Sequence, residues 1–438
     1  MSAYFARHAL LPGGWAVDVR FETDTSGRFA SVTPGSAPDG ATPLNGLVLS
    51  GMPNVHSHAF QRAFAGKTER AGPGGDSFWT WREAMYEMLE RIEPDEFEAI
   101  AADAYASMLE AGYTNVCEFH YVHNARGGVP YARRTELADR IVSAARRTGI
   151  GLTLVPVLYR YSDFGEAPPA ARQMRFVLSF DTFAELWRDL YDAYGGDPQI
   201  VLGAAPHSLR AVGVGDVPRL VALVRGLGGD RVPLHMHASE QVREVEACLA
   251  THGTTPIALL ARTVRLDPSW CLVHCTHATG DERRTVAESG AVAGLCPTTE
   301  ASLGDGIFPA ARFVRDGGRI AIGTDSNVSI DVAEELRWLE YVQRLAAQER
   351  NLMQTDGVPF VGRALYEAAL RGGAQASGGA IGALAPGLRA DAIAVRCEDG
   401  EDADTALGVA LFRSGAWNVT DAVVGGKHVV VESRLRSR

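Results

Sequence analysis

Eight short apolar runs recur along the chain, and they constrain its fold more than any other feature. They are continuous rather than alternating, which is typical of strands buried on both faces of a parallel sheet. The runs are LVLSGMPNV (47–55), YTNVCEF (113–119), LTLVPVL (152–158), IVLGAAP (200–206), VPLHMH (232–237), WCLVH (270–274), AVAGLC (291–296) and RIAIG (319–323). Helix-like segments separate them; 95–112, for example, has apolar residues at helical spacing and stops at a glycine. The pattern predicts an α/β fold, either a (β/α)8 barrel or a doubly wound sheet.

Polar residues capable of chemistry follow many of these runs, and they favour the barrel. In a barrel, the carboxyl ends of the strands meet at one mouth. Imidazoles with a carboxylate suit a divalent transition metal, most often zinc. The residues at the predicted strand ends are His56, His58, Glu118, His120, His207, His235, His237, Glu240, His274, His277 and Asp325.

Two of these strand ends carry histidines two residues apart. Side chains at i and i+2 of a strand point to the same face, so His56 and His58 can act together. The same spacing relates His235 to His237, and spacing alone cannot choose between them as ligands.

The segments outside the predicted barrel read as short strands. The tail contains VTDAVVGGKHVVVESR, in which a Gly-Gly turn separates two apolar runs. We expect residues 1–48 and 385–438 to form one small β-sandwich beside a barrel of residues 49–384.

Charge and cysteine usage narrow the class of partner. The net charge is −11 and the sequence contains no run of basic residues, which argues against a nucleic-acid partner. No apolar stretch is long enough for a membrane span, the N-terminus lacks a signal-peptide pattern, and the six cysteines are scattered. We therefore expect a cytoplasmic protein that acts on a small molecule, and we expect a homodimer.

The order of these motifs resembles the amidohydrolase superfamily over the whole predicted barrel: His-x-His after strand one, His after strands five and six, and Asp after strand eight. The flanking motifs HSHAFQRAFAG, FWTWREAMY, HSLR, HMHASEQ, CPTTEASLGDGIFP and GTDSN are similar to those of one family within it, the formimidoylglutamate deiminases.

The resemblance implies the composition of a metal centre. His56, His58, His237 and Asp325 would bind one divalent metal, and Zn²⁺ is the expected ion. Glu240, three residues after His237, selects that histidine over His235. A metal there would lower the pKa of its water from 15.7 toward about 7. Binuclear members of the superfamily usually bridge their metals with a carboxylated lysine after strand four, but the lysines here are Lys67 and Lys427 alone, so a mononuclear site is expected.

The resemblance also implies the reaction and the remaining site residues. Metal-bound hydroxide would convert N-formimino-L-glutamate to N-formyl-L-glutamate and ammonia, in histidine degradation. The catalytic residues would be Glu240 as proton shuttle, His274 as the residue that orients the water, and Asp325 as ligand and base. Arginine binds a carboxylate with two parallel hydrogen bonds, which suits a dianionic substrate. The expected substrate-binding residues are Gln61, Arg82, Tyr121, His207 and Arg210.

Three other functions compete with this interpretation. A deaminase of guanine or another aminated heterocycle would need a flat, aromatic-lined pocket rather than two arginines. A non-catalytic barrel that serves assembly predicts the loss of a ligand or of Glu240, and none is missing. A binuclear amide or lactone hydrolase would need the lysine that the chain lacks.

Overall fold

The computed structural model describes residues 2–70, 75–355, 357–398 and 400–436 of the chain. The strands are β1 (Ala3–Leu11), β2 (Gly14–Thr23), β3 (Phe29–Thr33), β4 (Thr42–Ser50), β5 (Met52–Ser57), β6 (Tyr113–His120), β7 (Gly151–Leu158), β8 (Ile200–Leu202), β9 (Ala205–Pro206), β10 (Leu234–Ala238), β11 (Trp270–His274), β12 (Val292–Leu295), β13 (Arg319–Ile322), β14 (Ala392–Val395), β15 (Val419–Val424), β16 (Lys427–Val431) and β17 (Arg434–Leu435). The α-helices are α1 (Phe78–Leu89), α2 (Pro94–Glu110), α3 (Glu136–Thr148), α4 (Phe180–Tyr194), α5 (Asp216–Gly228), α6 (Val242–His252), α7 (Pro256–Thr263), α8 (Gly280–Ser289), α9 (Pro297–Leu303), α10 (Ala310–Arg315), α11 (Val332–Ala347), α12 (Val361–Ser377) and α13 (Ala403–Phe412).

Parallel strands from β5 to β13 form a closed barrel, as the apolar runs predict. Strands β5, β6, β7 and β8 pair in that order, β9 pairs with β7, and β10 to β13 pair in sequence. A bridge between Ala204 and Leu234 joins the two halves on one side, and a bridge between Ser57 and Asp325 joins them on the other. The first and eighth strands of the barrel are therefore neighbours, which brings the predicted ligands at their ends together.

The first apolar run is not one strand, and the prediction of a single strand over 47–55 is wrong. The run contains the end of β4, which lies in the sheet of the chain termini, and most of β5, which lies in the barrel. Gly51 separates them, and a Cβ at that position would lie 2.1 Å from Cγ2 of Thr114. Both strands are buried, so the apolar pattern alone does not mark the residue at which the chain passes from one sheet to the other.

Both chain termini enter one mixed sheet beside the barrel. Its strand order is β17-β16-β15-β14-β4-β1-β2-β3, which confirms that the two ends of the chain form one β-unit. The predicted Gly-Gly turn joins β15 to β16, and Gly425 and Gly426 have φ of 55° and 73°, the left-handed backbone that a tight hairpin turn needs. The outermost residues of the predicted terminal segments, 1 and 437–438, lie outside the described residues.

Helix α1 is an addition to the basic barrel that follows its first strand. It begins after Ser77, whose backbone N–H donates to Oγ1 of Thr80 at 2.8 Å. The next helix, α2, agrees with the predicted helix over 95–112; Pro94 lies in its first turn and the chain turns at Gly112, where φ is 100°. Of the helices described, none combines the length and the apolar character needed to cross a membrane.

Candidate metal centre and active site

Four side chains from the first, fifth and eighth barrel strands converge on one point. The Nε2 atom of His56 lies 3.2 Å from Nε2 of His58 and 3.0 Å from Nε2 of His237. Oδ1 of Asp325 lies 3.3 Å from Nε2 of His58 and 3.5 Å from Nε2 of His56. All four residues are buried. They are the residues that the sequence predicts as metal ligands.

Main-chain carbonyls fix which nitrogen of two of these rings faces that point. Nδ1 of His58 lies 3.1 Å from the carbonyl oxygen of Phe119, and Nδ1 of His237 lies 3.0 Å from that of His207. A carbonyl only accepts hydrogen bonds, so each Nδ1 carries the proton and each Nε2 presents a lone pair. Burial lowers the pKa of His58 to about 3 and that of His237 well below its ordinary value, so both rings are neutral at pH 7.

Lone pairs that face one another at this distance need a cation between them. Ligand atoms around a tetrahedral zinc, at 2.0–2.1 Å from the metal, lie about 3.3 Å apart. The observed separations of 3.0–3.5 Å fit that spacing. Three imidazoles and one carboxylate are donors that divalent transition metals accept. The residues therefore fit a metal ion on their own chemistry.

The backbone at the strand ends is bent to bring these side chains together. Asp325 and His274 have φ of 45° and 69°, in the left-handed region that residues with a Cβ rarely adopt. Such conformations cost on the order of 1–3 kcal/mol each and cluster at functional sites. A Cβ at Gly323 would lie 2.8 Å from the backbone nitrogen of His56, so only glycine allows this close approach of the first and eighth strands.

His274 lies among three carboxylates at the edge of the metal centre. Its Nδ1 is 3.2 Å from Oε1 of Glu300, and its Nε2 is 3.7 Å from both Oε1 of Glu240 and Oδ2 of Asp325. Burial alone would lower the pKa of His274, but the charge on Glu240, the hydrogen bond to Glu300 and the charge on Asp325 outweigh it and raise that pKa to about 10. The surrounding carboxylates therefore favour the protonated ring, which can stabilise negative charge.

The predicted substrate-binding residues line the same pocket as the metal centre. The pocket has an empty volume of about 550 Å³ and opens at the carboxyl ends of the barrel strands. Its predicted lining residues are Gln61, Arg82, Tyr121, His207 and Arg210, and it also contains the aromatic side chains Phe78, Trp81, Tyr86, Tyr159 and Phe176. Two arginines and a ring of aromatic side chains thus face one space.

The two arginines are held differently. The Arg210 guanidinium is buried and its Nη2 lies 3.5 Å from Oε2 of Glu240. The Arg82 guanidinium lies over the ring of Trp79, with Cζ 4.6 Å from the ring centre, and its Nε is buried without a hydrogen-bond partner among the described residues. The ring centre of Trp79 also lies 5.9 Å from Cζ of Arg210 and 4.4 Å from Cζ of Arg243. Three guanidinium groups therefore contact this one ring.

Several histidines at strand ends stay away from the metal centre. His235 lies two residues before His237 on the same strand and contacts a different part of the barrel, with Nε2 2.9 Å from the carbonyl oxygen of Ala376. This contact agrees with the interpretation of His235 as a barrel-interior residue. His277 faces the carbonyl oxygen of Asp305 at 2.8 Å, and His120 packs against Phe97.

Glu300, Glu244 and Trp79 have contacts at the site that the sequence interpretation did not assign. The sequence positions of two of them could have indicated a place at the site. Glu300 follows the seventh apolar run, just as the other polar candidates follow theirs, and Glu244 comes four residues after Glu240, one helical turn on. The contact of Trp79 with Arg243 joins α1 to α6 and has no local signal.

Comparison with known proteins agrees with the barrel and its centre. Residues 47–429 match the model of the amidohydrolase family. A crystal structure of an amidohydrolase from Brucella melitensis superposes with a TM-score of 0.94 at 42% identity, covering 100% of this chain and 96% of that one. The chain belongs to the amidohydrolase family.

A narrower placement follows from the remaining comparisons. Residues 1–45 match the model of the N-terminal domain of formimidoylglutamate deiminase HutF. The formimidoylglutamate deiminase of Pseudomonas aeruginosa is 50% identical over 441 residues, covering 99% of this chain and 96% of that protein. The 8-oxoguanine deaminase of the same organism is 26% identical, covering 87% of this chain and 84% of its own. Within the amidohydrolases, the chain belongs with the formimidoylglutamate deiminases.

Proposed function

We propose that this protein hydrolyses N-formimino-L-glutamate to N-formyl-L-glutamate and ammonia, a step of histidine degradation. The observation that carries the proposal is the presence of Arg82 and Arg210 in the pocket that contains the metal centre. Two cations beside a hydrolytic centre match a substrate with two carboxylates. The 50% identity to the formimidoylglutamate deiminase of Pseudomonas aeruginosa supports the same substrate.

We propose that one divalent metal ion, Zn²⁺, is bound by His56, His58, His237 and Asp325. The facing lone pairs support this ligand set. A single metal is supported by the absence of a lysine that could bridge two, because Lys67 is exposed and Lys427 lies in β16. When bound, the metal supplies a water of lowered pKa and polarises the carbon that is attacked.

The side chains around the centre would then move the protons. The oxygen of water adds to the formimino carbon, and Glu240 carries a proton from that water to the terminal nitrogen. The carbon–nitrogen bond breaks, the nitrogen leaves as ammonia and the formyl carbonyl forms. His274 would orient the water, and Asp325 would accept the second proton of the water and pass it to the leaving nitrogen, so that both protons of the water leave with the ammonia. The distances of 3.7 Å from His274 Nε2 to both carboxylates leave room for this exchange.

The substrate would be held by groups of two kinds. Arg82 and Arg210 would bind the carboxylates, and neutral donors would orient the rest of the molecule. Gln61 donates from Nε2 to the hydroxyl of Tyr121 at 3.1 Å, and Oε1 of Gln61 is buried with no partner among the described residues. His207, which contacts Ser208 at 3.1 Å, completes this side of the pocket.

We propose domain boundaries that follow the expected ones: 1–48 and 385–438 for the β-unit, and 49–384 for the barrel. The eight-stranded sheet built from both termini supports this division, with β4 running two residues past the first boundary, to Ser50. We further propose a cytoplasmic homodimer. Limited proteolysis tests the boundaries and sedimentation analysis tests the dimer.

A second function has one observation in its favour. Six aromatic side chains of the pocket, Phe78, Trp81, Tyr86, Tyr121, Tyr159 and Phe176, could stack on a flat ring. Deamination of guanine or a related heterocycle is therefore the alternative, and the 8-oxoguanine deaminase of Pseudomonas aeruginosa is a relative at 26% identity.

A screen of ammonia release separates the two functions. Protein of measured metal content is offered N-formimino-L-glutamate, N-formimino-L-aspartate and guanine. We expect the glutamate derivative to be fastest and activity to follow one metal equivalent per chain. Faster release from guanine would replace the proposed function with the alternative, and activity that rises in proportion to a second equivalent would contradict the mononuclear centre.

A further inference from the structure

Arg210 lies between two buried carboxylates, and only one of them belongs to the proposed chemistry. Nη2 of Arg210 lies 3.5 Å from Oε2 of Glu240, and Nε of Arg210 lies 4.0 Å from Oε2 of Glu244. The relative exposures of the three residues are 6%, 4% and 1%. Two buried carboxylates thus lie beside one buried guanidinium, which lines the substrate pocket.

Capping of helix α6 accounts for part of the role of Glu244. Its Oε2 accepts the backbone N–H of Glu240 at 2.9 Å, a contact that satisfies a free donor before the helix. One oxygen is enough for that role. The other oxygen of Glu244 and the Nε of Arg210 are both buried without a hydrogen-bond partner among the described residues. Arg210, Glu240 and Glu244 therefore form a cluster in which neither carboxylate binds the guanidinium fully.

A substrate carboxylate that reaches Arg210 changes the balance of this cluster. The guanidinium has several N–H groups, and a carboxylate takes two of them in parallel. A substrate carboxylate bound to Arg210 weakens the attraction between the guanidinium and Glu240, so the negative form of Glu240 loses part of its stabilisation. Loss of a paired cation favours the uptake of a proton by a buried carboxylate. Taking a proton from water is the first task proposed for Glu240.

We propose that substrate binding at Arg210 is a switch that makes Glu240 a better proton acceptor. The substrate carboxylate displaces Glu240 from the guanidinium, and Glu244 keeps the guanidinium in place while this happens. This inference rests on the proposed function. Glu244 is a positioning residue that acts through Arg210. The arrangement makes the substrate carboxylate contribute to turnover as well as to binding, because part of its binding energy is used to free the proton shuttle.

Separating the substrate into two pieces tests the switch. Formamidine carries the reacting group without carboxylates, and water converts it to formamide and ammonia. Glutarate carries the two carboxylates without the reacting group. We expect glutarate to raise the kcat of the metal-loaded enzyme on formamidine by about 5- to 150-fold, the usual range of coupling between two sites. Inhibition by glutarate, or a formamidine rate that it leaves unchanged, overturns the proposal.

Three variants assign the effect to the cluster. Arg210→Met removes the switch, so activation by glutarate is lost. Glu244→Gln keeps an oxygen for the backbone N–H of Glu240 but removes the charge; we expect kcat on N-formimino-L-glutamate to fall by more than KM changes, and activation to weaken. Arg243→Met is the matched control, because Arg243 is exposed and contacts the same Trp79 ring; activation persists in it.

The outcomes distinguish failure of this inference from failure of the proposed function on which it rests. Wild-type kinetics in Glu244→Gln would reduce Glu244 to a helix cap and overturn its assignment as a positioning residue. If the wild-type enzyme hydrolyses N-formimino-L-glutamate and glutarate does not activate, the switch fails and the function stands. If the wild-type enzyme does not release ammonia from N-formimino-L-glutamate, the proposed function itself fails.

Discussion

Glu300 contacts His274 through an Oε1–Nδ1 distance of 3.2 Å, and the same oxygen accepts the backbone N–H of Cys296 at 2.9 Å. The second contact fixes the carboxylate at the start of helix α9, and the first fixes the imidazole. Because Nδ1 is held by Glu300, Nε2 of His274 is directed to Glu240 and Asp325. A carboxylate outside the reacting space thus sets the direction of the imidazole and, after the charge on Glu240, contributes to the raised pKa of His274.

Replacement of Glu300 by glutamine should lower the thermal stability of the metal-free protein by an amount that depends on pH. The pKa of His274 in the folded chain, about 10, lies above the 6.5 of an unfolded histidine. The stabilisation is therefore complete below about pH 6.5 and is lost as the pH rises through about 10. We expect the difference in Tm between wild type and Glu300→Gln to be largest near pH 6 and to shrink toward pH 10. A difference that is independent of pH, in chelator-treated samples, would contradict this role.

The Glu240→Gln substitution should separate proton transfer from metal binding. Glutamine keeps the size of the side chain but cannot carry a proton, and general acid–base groups contribute about 10²- to 10⁴-fold. We expect a loss of that order in kcat with an unchanged metal content by elemental analysis. A variant with a rate near that of wild type would remove Glu240 from the proposed chemistry.

His237 and His235 form a matched pair on one strand. His237→Ala should lose the metal and the activity together, because the Nε2 of His237 is one of the converging donors. His235→Ala should keep the metal but lose about 1–3 kcal/mol of stability, since it leaves the buried carbonyl of Ala376 without its partner. Metal content and urea unfolding of both variants check the pair; metal loss in the His235 variant would reverse the assignment.

Replacement of either pocket arginine by methionine should reduce kcat/KM without loss of the metal. Removing one partner of a buried charge pair costs on the order of 2–5 kcal/mol, and we expect losses of that size for Arg82→Met and Arg210→Met on N-formimino-L-glutamate. Arg243→Met, on the exposed side of Trp79, is the comparison. If both pocket variants behave like wild type, the carboxylates are bound elsewhere and the heterocycle deaminase becomes the better interpretation.

The barrel could be predicted from the sequence, and so could the side chains that converge in its candidate metal centre, because both leave local patterns. Strands buried on two faces appear as continuous apolar runs, and barrel topology brings their ends together whatever the length of the segments between them. The position at which β4 gives way to β5 could not be predicted, because the run is buried on both sides of Gly51, and the close approach of Thr114 to that glycine is a tertiary contact.

The contacts that control the donors depend on residues distant in sequence. Glu300 and His274 are 26 residues apart, and Arg210 and Glu240 are 30 apart. Such pairs have no spacing rule, since the path of the chain between them decides whether they meet. Trp79 reaches Arg243 only because α1 folds over the mouth of the barrel.

The identity and order of the candidate metal donors are therefore properties of the amino-acid sequence, whereas the chemical state of each donor is a property of the folded chain. The places after apolar runs give a larger set of candidates, and the resemblance to the amidohydrolases selects His56, His58, His237 and Asp325 among them. That the Nε2 atoms of His58 and His237 carry lone pairs follows from the carbonyl oxygens behind the two rings. Hydrogen-bond partners and burial set protonation, and both exist only after distant strands have packed together.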